Sequence, residues 1–84
     1  MRVYELINTE SDEHEPSYSG TKAEAHSSAK EQPKTEWNNL KITELEVQTD
    51  KVGVLAMLNG EPIITERVEA WGLTLRGGLM AWKD

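Results

Sequence analysis

This sequence predicts an α+β fold, a four- to five-stranded antiparallel sheet with one short helix packed on it, on three observations. A capping-box tetrad, Thr21-Lys22-Ala23-Glu24, opens an alanine-rich stretch that Pro33 closes. Short apolar runs of strand composition lie on either side of it, at residues 3–8 and from Leu40 onward. Turn dipeptides, Asn59-Gly60 and Gly77-Gly78, punctuate the second region.

Residues 3–8 read as the first strand, with Val3, Glu5 and Ile7 on one face and Tyr4 and Leu6 on the other. Residues 9–20 read as an exposed loop, because four of the six residues from Glu10 to Glu15 are acidic and none offers an apolar face. The helix is predicted over 22–32. Its apolar face holds little beyond alanine, so it must lie close against the sheet to persist.

From 40 to 84 the pattern predicts an antiparallel meander. Leu40 and Ile42 have one parity and Leu45 and Val47 the other, so a β-bulge near Thr43-Glu44 is expected to bring them to one face. Thr49-Asp50-Lys51 reads as a turn, and Val52–Leu58 as the most buried, central strand. Asn59-Gly60 then reads as a hairpin turn, and Pro62 delays the next strand, placed at 68–75 in preference to a short helix within 63–71. A two-residue Gly77-Gly78 loop would pair Leu75 with Met80 and Leu73 with Trp82. Trp71, Leu73, Leu75, Met80 and Trp82 would then share one face, either core or an exposed aromatic binding surface, and the shortage of other large residues favours core.

A chain of 84 residues suits one domain spanning 1–84, and a domain so small is thinly stabilised, so a partner surface or a homodimer contact would help it. The absence of cysteine removes disulfides and thiolate metal sites and points to a reducing, cytoplasmic setting. No apolar stretch is long enough for a membrane span. Fifteen acidic against nine basic residues, a net charge of −6, argue against direct nucleic-acid binding. The same charge suits either plain solubility or encounter with a basic cleft on another protein.

No enzyme is expected. The two histidines, His14 and His26, fall on a loop and a weak helix, neither of which offers the rigid support that nucleophilic catalysis requires. Asp12, Glu13, His14 and Glu15 lack the spacing and glycine of a calcium loop, and no phosphate-binding glycine motif is present, so neither a metal nor any other cofactor is predicted.

In size, charge and layout the chain resembles the small inhibitor proteins that phages and other mobile elements encode against host enzymes. Tyr4–Asn8, the acidic stretch Thr9–Glu15 and the helix from Thr21 to Lys30 resemble the strand, acidic connection and alanine-rich helix of type I anti-CRISPR proteins. A narrower resemblance is to the phage uracil-DNA glycosylase inhibitors, in which a Glu-Ser pair after the first strand enters the enzyme's DNA-binding cleft. Glu10-Ser11 sits in a comparable place, and Thr49-Asp50 and Ala70-Trp71-Gly72-Leu73 also look similar. That family continues after Glu-Ser with aliphatic residues, this chain with Asp12-Glu13-His14.

Both resemblances imply a DNA-mimicking inhibitor whose carboxylates occupy a Lys- and Arg-lined cleft. The partner-binding residues expected are Glu10, Ser11, Asp12, Glu13 and Glu15, with Glu24 and Glu31 alongside. The competing reading is a viral structural or assembly protein, or a small subunit of a complex, that uses apolar strands in place of acids.

Overall fold

Alternation in the first eight residues produces β1 (Arg2–Asn8), with Tyr4 and Leu6 toward one side and Val3 toward the other. The computed structural model describes residues 1–10 and 15–82. Its sheet is five-stranded and antiparallel throughout, in the order β2-β1-β3-β4-β5, with short helices packed on it.

The stretch 9–20 is not all loop, because Ser17–Ser19 forms β2 against Tyr4–Leu6 of β1. Its central side chain anchors it: the Tyr18 hydroxyl donates to Glu5 Oε2 at 3.0 Å. The helix α1 (Lys22–Lys30) starts as expected, with the Thr21 hydroxyl accepting from the Glu24 amide at 3.1 Å. Ala25 and Ala29, one turn apart, are fully buried; side chains this small let the helix backbone approach the sheet. A 3-10 segment, Lys34–Asn39, follows Pro33 and returns the chain to the sheet, where the Thr9 amide donates to the Asn39 carbonyl at 2.7 Å.

β3 (Leu40–Val47) pairs with β1 in unbroken register from Asn8↔Leu40 to Arg2↔Glu46. The apolar residues of β3 therefore stay divided between two faces, contrary to the expected return to one. Leu40 and Ile42 join Leu6, Trp71, Leu73, Ala25 and Ala29 beneath α1, whereas Leu45 and Val47 join Val3, Met57 and Ile64 on the opposite face. The register does shift near the expected place, between Glu44 and Leu45 and again between Glu46 and Val47, but the extra residues, Val68 and Thr65, belong to the next strand.

The largest departure is at Val52–Leu58. Residues Lys51–Leu58 form a second helix, α2, and not a central strand. Asp50 caps it, accepting from the Gly53 amide at 2.9 Å, and Leu55-Ala56-Met57-Leu58 is a run of good helix formers. Asn59-Gly60 ends this helix and makes no hairpin: Gly60 lies at φ +78°, its amide donates to the Met57 carbonyl, and the Glu61 amide donates to that of Ala56. A type I′ hairpin would need a positive φ at both positions; here Asn59 lies at φ −86° and only Gly60 is positive, as a helix C-terminus requires. The meander expected over 40–84 is thus interrupted by a helix.

β4 (Ile64–Leu73) begins just beyond Pro62 and excludes the alternative short helix within 63–71. Only its last three residues pair with β5 (Leu79–Ala81), in the register Trp71↔Ala81, Gly72↔Met80 and Leu73↔Leu79. The turn is longer than the two residues expected, because the Thr74 carbonyl accepts from the Gly77 amide and Gly77 takes the positive φ of +85°. That register separates the residues expected on one face: Trp71 and Leu73 are core under α1, Leu75 is exposed on the turn, and Trp82 lies over Gly72 on the other side.

Candidate interaction surface

Of the acidic residues singled out from the sequence, Glu10, Glu15, Glu24 and Glu31 are all exposed. Ser11, Asp12 and Glu13 lie outside the described residues. Glu24 and Glu31 sit at opposite ends of α1, one in its first turn and one at its C-cap.

The tertiary structure assembles a different set of carboxylates. In the β3–β4 register Glu44 stands opposite Glu69 and Glu46 opposite Glu66. Directly paired residues point to the same face, so these four form two like-charged rungs beyond Trp71, on the face that carries α1. Arg2 bridges one side of this array, pairing with Glu44 and, at 2.6 Å, with Glu46. Tyr4 donates to Glu44 at 2.9 Å, and that bond, together with burial, raises the pKa of its phenol. Hydrogen bonds from the terminal amine and from Arg2 hold the Glu46 carboxyl below its ordinary value. Among the described residues, Glu66 and Glu69 have no ion-pair partner. Glu44-x-Glu46 and Glu66-x-x-Glu69 are visible in the sequence, but only the register, with its two extra residues on β4, sets them opposite one another.

On the opposite face, α2 covers the end of the sheet that carries Val3, Leu45 and Val47 through Met57. Beyond it lie Tyr18, Arg67, Met80 and Trp82, residue types enriched at protein interfaces. The Glu5 carboxylate, with its side chain 10% exposed, sits among them, bonded to Tyr18 and 3.8 Å from Arg67 Nη1. Lys41 Nζ is 5.3 Å from the Trp82 ring centroid, and Asn38, Met80, Ala81 and Trp82 line an open depression.

The outer side of α2 is the third feature. Val52, Val54, Leu55 and Leu58 are 62, 42, 52 and 78% exposed, and between Lys51 and Glu61 the chain has no charged residue. A surface helix ordinarily turns a polar stripe to water. This one is apolar all round, and a continuous apolar run of this length has the composition of a buried strand as much as of an exposed helix.

His26 is engaged structurally, its Nε2 meeting the Gly77 carbonyl and tying α1 to the β4–β5 turn. Among the described residues no cluster of His, Asp and Glu has the arrangement of a metal site. No family model, curated protein or solved structure matches the chain.

Proposed function

We propose that this chain is a small, non-enzymatic inhibitor of the phage-encoded kind, which binds a partner protein and blocks a Lys- and Arg-lined nucleic-acid-binding cleft. The observation that carries the reading is the carboxylate array Glu44, Glu46, Glu66 and Glu69. Like charges set directly opposite in a sheet oppose folding, and a basic partner surface would relieve that repulsion. Glu10 and Glu15, exposed elsewhere, extend the negative field that speeds encounter with such a partner. A type I CRISPR surveillance complex and uracil-DNA glycosylase are the targets that the resemblances name. Each is loaded with labelled DNA and titrated with the protein at low and at physiological salt. Displacement of DNA that weakens steeply with salt, and weakens again in Glu66→Gln/Glu69→Gln protein through a slower association rate, is the expected result. Failure to displace DNA from either at low salt removes the reading.

A second reading, an assembly protein or small subunit, is favoured by one observation, the exposed apolar side of α2. Its contact would be insensitive to salt, and Leu55→Glu would abolish it while leaving the carboxylate-led contact intact.

A further inference from the structure

The outer side of α2 is apolar, and its surroundings restrict what can cover it. β4 shows how this protein treats a surface that is to stay free. The first seven residues of β4 lack a β5 partner, yet they carry Glu66, Arg67 and Glu69 and two register irregularities, devices that keep an open edge from pairing. α2 has no such guard. A charged membrane surface is a poor occupant, since a chain of net charge −6 is repelled by anionic lipid.

The charges that frame α2 are complementary to themselves. Lys51 stands at its first residue and Glu61 just beyond its end. When two α2 helices cross antiparallel about Leu55, residue 51 of one copy lies beside residues 59–61 of the other, so that two Lys51–Glu61 pairs flank the contact. Antiparallel packing also sets each helix N-terminus near the other's C-terminus, where the dipoles attract. Resting on the assembly reading above, we infer that the partner of α2 is a second copy of this chain, bound through Val52, Val54, Leu55 and Leu58 about a two-fold axis.

Such a contact is small. Eight residues of helix span about 12 Å, well short of the roughly 800 Å² per partner of a standard stable interface, so the dimer is weak and forms at high concentration. Sedimentation equilibrium across a micromolar-to-millimolar series tests it. The apparent mass is expected to climb from 9.5 kDa toward twice that value. Leu55→Glu should remain at the monomer mass with an unchanged circular dichroism spectrum. Lys51→Glu and Glu61→Lys should each weaken association, and the double swap should restore it. Association of Leu55→Glu equal to that of the parent protein, or no recovery in the double swap, overturns the inference. A parent protein that stays monomeric throughout also overturns it, without deciding whether α2 binds a different chain, which the loss of that partner in Leu55→Glu tests separately.

Discussion

At Gly53 an added Cβ would lie 2.2 Å from the backbone oxygen of Gln48, closer than any real contact. Glycine here lets α2 turn back onto the end of β3. Gly53→Ala should therefore destabilise the fold by about 1–3 kcal/mol, as overpacking does, although alanine is the better helix former; a chemical denaturation curve measures it. Asp50, two residues before Val52, holds the same helix. A hydrogen bond from the Gln48 side chain, followed by those from the Gly53 and Val52 amides, lowers its pKa below the ordinary value. A carboxylate depressed in the folded state contributes stability that is complete above its unfolded pKa and is lost as pH falls through the folded value. Melting temperature should accordingly drop on the acid side, with Glu46 adding to the slope, since its carboxyl is also depressed. Asp50→Asn, which keeps an acceptor for the cap, should flatten part of that dependence, and Asp50→Ala should lower the melting temperature at neutral pH.

Among the elements, β4 is the one whose sequence is set by two demands. Its C-terminal part packs Trp71 and Leu73 into the core, and its N-terminal part is an open edge of exposed, mostly charged residues. Replacing Glu66 with Val and Glu69 with Ile, neither of which has an ion-pair partner among the described residues, should leave the monomer's stability unchanged or slightly raised and raise its tendency to aggregate, read as light scattering or thioflavin fluorescence during a slow heating ramp. α1 shows the converse economy. Two fully buried alanines seat it, while Lys22, with its Nζ 3.9 Å from the Trp71 ring centroid, covers the indole with a cation.

For the molecule as a whole, the sheet divides its labours between faces. α1 closes one core, α2 closes a smaller one on the other side, and each face keeps an uncovered region, acidic beyond Trp71 and aromatic around Trp82. Net charge and the two like-charged rungs make the folded state repel itself. Glu66→Gln/Glu69→Gln should hence raise the melting temperature slightly at low salt, an increment that shrinks as salt is added. A lower melting temperature at low salt would mean that these two carboxylates support the fold.

The sequence by itself determined the parts that rest on local chemistry. Thr21 and Glu24 start a helix, Pro33 closes it, and Val3–Asn8 alternates as a strand; all of these are settled within a few neighbouring residues. The acidity and the α+β class were legible for the same reason. Tertiary structure decided the rest. Val52–Leu58 has no clear period, so whether it becomes strand or helix depends on the cap at Asp50 and on the need to cover Val3, Leu45 and Val47 on the second face. The side of the sheet taken by Trp82 follows from a turn three residues long, which shifts the β4–β5 register away from the one a two-residue turn would impose. The candidate surface was least legible of all, because Glu44 and Glu46 meet Glu69 and Glu66 only through a register that two extra residues on β4 displace, and no local pattern in either strand encodes which residue its neighbour will face.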